Sequence, residues 1–183
     1  MKTTCLALAI LSLTLAIPSV ATAETAGATA ELSRGFGVRA LVVQPGAELP
    51  LQVGMAVDFR LRRGNLAPHM GLSFATSPSG AGGHIRAEGT FNYFIGPLYI
   101  GAGGAAGTLS IETPEAISGK WTGAALALHA QIGTLIGLGG GGRGLCLELR
   151  GGHTLPLGSV NPLEQTPESA ARLELAGSIG VIF

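Results

Sequence analysis

Between Leu51 and Arg62 every second residue is apolar. Leu51, Val53, Met55, Val57, Phe59 and Leu61 alternate with Gln52, Gly54, Ala56, Asp58, Arg60 and Arg62. A period of two puts the two sets on opposite faces of an extended strand, whereas an amphipathic helix returns its apolar residues every three or four positions. The pattern recurs over 84–95, where Ile85, Ala87, Gly89, Phe91, Tyr93 and Ile95 oppose His84, Arg86, Glu88, Thr90 and Asn92. It recurs again over 172–183, where Leu173, Leu175, Gly177, Ile179, Val181 and Phe183 oppose Arg172, Glu174, Ala176, Ser178 and Gly180. Weaker versions at 34–43, 70–77, 98–110, 121–136 and 144–155 bring the predicted strands to eight, so the chain reads as all-β.

The charges discriminate between kinds of β protein. Arg39, Asp58, Arg60, Arg62, Arg86, Glu88, Glu148, Arg150, Arg172 and Glu174 fall in the polar phase of their strands, and the other phase reads as free of charge. A soluble sandwich or lipocalin-like barrel would turn the charged phase to water, and a barrel in lipid would turn it to the lumen. Composition favours lipid. Only 12% of residues are charged, mean hydropathy is +0.45, and Lys120 is the one lysine after Lys2, against about 25% charge in an ordinary soluble domain. An arginine on the lipid face at the midplane costs about 2–4 kcal/mol, which drives charge inward. The expected fold is therefore a closed antiparallel eight-stranded transmembrane β-barrel with a side-chain-filled lumen. In so narrow a lumen the ten charges must neutralise one another, which makes them structural residues by default. The expected pairs are Arg39 with Asp58 across the first hairpin and Arg150 with Glu174 across the last.

At the N-terminus, Lys2 precedes an apolar run over 5–17, then Pro18 and the small residues Ala21, Thr22 and Ala23. This is the pattern of a secretory signal peptide, assigned to 1–23, with a short periplasmic segment over 24–33 and the barrel over 34–183. A second small-residue site at 28–30 leaves the cleavage position open. The run is too short for a spanning helix, which needs about 20 residues. Loss of Cys5 would leave Cys146 without an internal disulfide partner. Residues 121–138 contain no Asp, Glu, Lys or Arg and could be read as a membrane helix. His129, Gln131, Gly123, Gly133 and Gly137 weaken that alternative, and one helix would leave seven strands without a common surface. A formal net charge of zero, with no run of either sign, leaves no footprint for nucleic acid.

The final alternating series ends on Phe183. Together with the signal and eight dyad-repeat strands, this layout resembles the small, eight-stranded OmpA/OmpX-type family of Gram-negative outer-membrane β-barrel proteins. The resemblance implies export to the outer membrane, contact with its lipids and lipopolysaccharide, and recognition of the terminal strand by the barrel assembly machinery, with Phe183 as the assembly signal. It makes Gly96 and Pro97 a tight periplasmic turn and 111–120 and 156–170 surface loops. It also places Phe36, Phe59, Tyr93 and Phe183 near the periplasmic ends of their strands, as an aromatic girdle. Oligomeric state stays open.

Eight-stranded outer-membrane barrels include lipid A modifying enzymes, so the histidines carry weight. His69 is placed beside a turn, His84 at a strand start, and His129 in the lumen phase as a hydrogen-bonded structural residue. His153 has Thr154 beside it and Glu164 and Glu168 in the following loop, a set that would suit acyl-ester hydrolysis with the histidine as base. The lipid A deacylase barrels place a serine two positions after their catalytic histidine. Here that position is Leu155, and Thr154 projects to the opposite strand face. No catalytic, cofactor-binding or metal residues are assigned and no cofactor is expected. The expected function is a structural or surface-interaction role without an open pore. The alternatives are a lipid A or phospholipid modifying enzyme using His153 and a soluble periplasmic β-barrel binding an apolar ligand.

Overall fold

The computed structural model describes residues 32–46, 49–113, 116–138 and 143–183. The expected signal peptide and positions 24–31 of the expected periplasmic segment lie outside the described residues. Eight strands follow in order: β1 (Leu32–Gln44), β2 (Gln52–Arg63), β3 (Leu66–Thr76), β4 (Gly82–Ile95), β5 (Leu98–Glu112), β6 (Lys120–Gly137), β7 (Gly144–Ser159) and β8 (Arg172–Ile182). A single 3-10 turn, Glu168–Ala170, precedes β8. Each strand pairs antiparallel with its neighbours in sequence, and β1 pairs with β8 to close the barrel. At the seam Phe36 and Phe183 exchange backbone hydrogen bonds of 3.1 and 2.8 Å. The uncharged stretch over 121–138 is strand β6, not a helix, and no helix among the described residues is long and apolar enough to cross a membrane.

Several strand limits differ from the sequence expectation, each for a local reason. β3 starts at Leu66, because Pro68 lies inside the strand. A proline has no N–H to donate, and the β2–β3 ladder skips it: Arg60 pairs with His69 and Arg63 with Leu66, with nothing between. On its other side Pro68 stands opposite Phe91. The β2–β3 connection is thus the two-residue turn at Gly64 and Asn65, with Gly64 at φ +61°. Gly96 at φ +64° makes the equivalent turn before Pro97, as expected. β7 runs on to Ser159, because a register shift opposite Ala124 and Ala125 absorbs an extra residue and lets pairing continue past Pro156. The last loop is correspondingly shorter than 156–170. β1 likewise begins two residues before the expected barrel boundary.

The inward phase is graded along the axis. Near the long loops Leu109, Ile111, Ala116, Trp121, Ala125 and Ala170 form a buried apolar cluster with Leu49 against it. At the turn end Ala67, Phe94, Tyr99, Cys146 and Ile182 form a second. A third, of Leu41, Val43, Ala56 and Ala75, lines the wall around β1 to β3. Between the two end clusters the lumen is polar, and there the inward face of β5 shrinks to Gly101, Gly103, Ala105 and Gly107. Side chains on Gly103 or Gly107 would run into the backbone carbonyls of Gly89 and Ile85 respectively. This thin wall admits the long side chains arriving from the other strands.

The contrast between inward Gly103 and outward Gly89, around which a Cβ meets nothing within 4 Å, is measurable. Gly103→Ala should destabilise the barrel by about 1–3 kcal/mol through overpacking, while Gly89→Ala should stay within about 0.5 kcal/mol of the parent. Urea unfolding followed by the fluorescence of Trp121, the sole tryptophan, reads both.

Candidate functional site

The lumen holds a continuous chain of ions of alternating sign. Asp58 on β2 accepts Arg39 Nε at 3.0 Å and Arg60 Nε at 2.6 Å. Arg39, on β1, also reaches across the barrel, where its Nη1 donates to Glu148 Oε1 on β7 at 2.6 Å. Glu148 receives Arg150 Nη2 at 3.3 Å, and Arg150 Nη1 lies 3.0 Å from Glu88 Oε1 on β4. The sequence Arg60, Asp58, Arg39, Glu148, Arg150, Glu88 is three cations and three anions, neutral as a set. Arg39 and Asp58 are each 1% exposed and Glu148 3%, so these ions have exchanged water for one another. Breaking such a set by removing one member leaves a buried charge uncompensated.

Neutral groups add further bonds. Tyr99 donates its hydroxyl to Glu148 Oε2 at 2.8 Å and Ser73 donates to Glu88. His69 Nε2 sits 3.4 Å from both Asp58 Oδ2 and Arg39 Nη2. The Arg60 Nη atoms find no acceptor among the described residues. Their cation instead lies over the Tyr99 ring, 5.9 Å from its centroid.

A second neutral unit sits nearer the loops. Arg86 Nη1 and Nη2 grip the two carboxylate oxygens of Glu174 at 2.6 and 2.9 Å, and Thr154 Oγ1 donates to the same carboxylate at 3.1 Å. This fork is the strong, bidentate form of the arginine–carboxylate bond. Arg86, His129, Arg150, Thr154 and Glu174 line a small cavity of about 10 Å³, on the scale of a single water. His84 bonds Gln52 at 3.1 Å, His129 bonds Thr90 at 3.0 Å, and Gln131 donates to Asn92 at 2.8 Å.

Nine of the ten charges read from the sequence lie in this lumen, and Arg39 pairs with Asp58 as expected. Arg172 is buried against Gly46 of the first loop. Arg62 is the tenth, and it sits only half-buried at the turn-end mouth. Its guanidinium lies 4.2 Å from the Phe94 ring centroid and its Nε donates to Gly64 O.

Three expectations need correcting. Arg150 does not pair with Glu174: the register sets Arg150 opposite Ala176 and Glu174 opposite Gly152, and each ion finds a partner across the lumen instead. His69 is not beside a turn but inside β3, facing the lumen, because the strand runs through Pro68. The outward phase is not free of charge, since Arg34 and Arg63 project outward at the turn-end rim. The ion chain across the barrel had no local signal in the sequence. The inward Trp121 did have one: it shares the parity of Ala125, Ala127, His129 and Gln131.

His153 projects outward from β7, exposed between Leu128 and Leu173 on the adjacent strands. Thr154 points inward to Glu174, and Glu164 is held by Ser118 and Asn161 in the loops and Ser159 at the end of β7. The histidine and the hydroxyl therefore stand on opposite sides of the barrel wall. Among the described residues no three His, Cys, Asp or Glu side chains gather in a way that could hold a metal ion. No protein-family model matches the chain, and no curated protein matches its sequence. What the fold defines is a closed eight-stranded β-barrel protein whose lumen sets five arginines against four carboxylates.

The pairing can be tested directly. Asp58→Asn should cost about 3–5 kcal/mol of unfolding free energy. In double-mutant cycles with Glu174→Gln, Arg86→Met should couple near the upper end of the usual 0.5–3 kcal/mol range, and Arg150→Met near its floor. Equal couplings would restore the hairpin pairing.

Proposed function

We propose that this chain is an integral outer-membrane β-barrel protein of a Gram-negative envelope, with a structural or surface-interaction role and no open pore. The observation that carries this reading is the inversion of polarity. Met70, Leu72, Phe74, Ile85, Phe91, Ile95, Leu98, Ile100, Leu128, Ile132, Leu173 and Leu175 are large apolar side chains at least half exposed on the outside of the wall, with Phe91 the extreme at 74%. The ions are inside. A soluble monomer rarely shows so continuous an apolar surface, and hydrocarbon is the solvent that suits it. A closed barrel also presents no open sheet edge to that solvent.

Phe36, Phe59, Tyr93 and Phe183 are all exposed on the outer wall toward the turn end, with Phe36 opposite Phe59 and bonded to Phe183. That common level suits an interfacial girdle. We assign Phe183, outward at the end of β8, the role of the element read by the assembly machinery. Outer-membrane lipids and lipopolysaccharide are the proposed surroundings. The filled lumen and its two apolar end clusters argue for a plug over a channel. They argue equally against a soluble barrel binding an apolar ligand, which needs an apolar cavity. The lipid-modifying alternative loses its nucleophile, because Thr154 is turned inward.

Leu72→Arg separates lipid from water as the outer solvent. In vesicles it should cost about 2–4 kcal/mol, whereas on a water-facing wall it should change stability by less than about 0.5 kcal/mol. Fractionation gives an independent test: the protein should stay with the membranes and show heat-dependent gel mobility, and recovery in the soluble periplasm without that shift would sink the reading. His153→Ala should leave lipid A acylation unchanged; altered acylation would revive the enzyme.

A further inference from the structure

We infer that the turn-end rim carries a binding site for the headgroups of anionic phospholipids, built on Arg34 and Arg63. The inference rests on the membrane reading above and names the lipid class this rim would select. The two arginines lie on neighbouring strands, Arg34 opposite Leu61 and Arg63 opposite Leu32, so they are diagonal neighbours across the β1–β2 ladder. Both are exposed and belong to the outward phase, which they share with Phe36 and Phe59. The inward arginine at this depth, Arg62, lies against the Phe94 ring; an outward one meets whatever solvates the wall.

Depth along the strand decides what that is. Arg34 stands two residues beyond Phe36, about 7 Å further from the apolar belt at the strand rise. Arg63 lies past Phe59 in the same direction, with exposed Leu66 opposite it on β3. Cations placed just outside an aromatic girdle reach the headgroup layer while their stems stay on apolar surface.

Their electrostatic surroundings lack an internal partner. Neither forms an ion pair among the described residues. Arg62 on the same turn is occupied with Phe94 and Gly64, and Arg143, exposed just before β7, adds a further positive charge to this end. Among the described residues no Asp or Glu side chain is exposed at this end. Like charges placed this way on one sheet face repel, and a phosphate between two guanidinium forks relieves that repulsion with charge-assisted bonds. The opposite rim is built otherwise. Glu112, Glu164 and Glu168 there face one cation, Lys120, so the feature belongs to one end of the barrel and not to rims in general.

The test uses the full protein in phosphatidylcholine vesicles with trace spin-labelled lipid. Electron spin resonance then compares the fraction of labelled phosphatidylglycerol held at the protein surface with that of labelled phosphatidylcholine. Wild type should prefer phosphatidylglycerol by about fivefold at low salt, the effect of one cation near an anionic headgroup, and the preference should shrink as salt rises. R34Q/R63Q should abolish it and R34K/R63K should keep most of it. If the double glutamine variant does not fold, each single replacement should still weaken the preference. No preference in wild type, or one that survives R34Q/R63Q, overturns the site while leaving the membrane reading intact. Absence of surface-held lipid of either kind overturns the membrane reading itself.

Discussion

Asp58 accepts two guanidinium groups while almost wholly withdrawn from water, and the arrangement of the whole lumen follows from that ion. A carboxylate in a low-dielectric interior is tolerable only when cations and donors replace its hydration. Arg39, having given its Nε to Asp58, would itself be half-satisfied without Glu148 on the far wall. Glu148 in turn needs Arg150, and Arg150 is completed by Glu88. The backbone ladder joins each strand only to its neighbours. The ion chain joins β1, β2, β4 and β7 across the lumen, so it specifies the radial fit that hydrogen-bond pairing leaves free. It also guards the register, because a one-residue slip of any of these strands would carry its ions to the apolar outside.

Such a chain demands both space and dryness, and different parts of the wall supply them. Space comes from β5, where Gly101, Gly103, Ala105 and Gly107 give up inward volume that arginines from other strands then fill. Dryness comes from the two apolar clusters, Trp121 with Leu109 and Ile111 at the loop end, Phe94 with Tyr99 at the turn end. Tyr99 serves both needs, since its ring packs at 5.1 Å from Phe94 while its hydroxyl reaches Glu148. A lumen packed in this way is a core, and the same packing that stabilises the ions fills the middle of the barrel with side chains.

How much of this was legible in the sequence depended on the range of the interaction. Strand faces were legible, because the pleat is a property of adjacent residues and charges advertise which face is inward. Arg39 with Asp58 was legible too, because they sit on neighbouring strands joined by a short loop. Arg150 with Glu174 was wrong for the complementary reason. Sequence proximity suggested a hairpin pair, but arginine is long enough to ignore the ladder, and the lumen offered Glu88 and Glu148 at better distance. The first residues of β3 were not legible, because Pro68 interrupts the β2 ladder yet the strand continues through it by pairing with β4. Trp121 could have been placed inward by extending the parity of His129 and Gln131. Its apolar character concealed it, since parity and hydrophobicity disagree at a plug. Arg34 and Arg63 were missed because the outer wall ceases to be apolar at its rim, and no alternation marks where that rim falls.

The scarcity of lysine takes on a structural meaning in this light. Every cation of the lumen network is arginine, and the geometry shows why the choice matters. Arg39 divides its fork between Asp58 and Glu148, Arg150 between Glu88 and Glu148, and Arg86 meets both oxygens of Glu174. A lysine ammonium is a compact, strongly hydrated point charge that holds one such position well and is costlier to strip of water. Replacing Arg39 by lysine would leave one of two buried carboxylates with a single cation in place of two, Arg60 at Asp58 or Arg150 at Glu148, which weakens the compensation of a buried charge. A barrel whose charges are bridged within a narrow lumen therefore selects forked cations inside. If its outer wall meets hydrocarbon, it offers little solvated surface where lysine would otherwise accumulate. The same condition that makes the chain poor in charge also decides which charge it keeps.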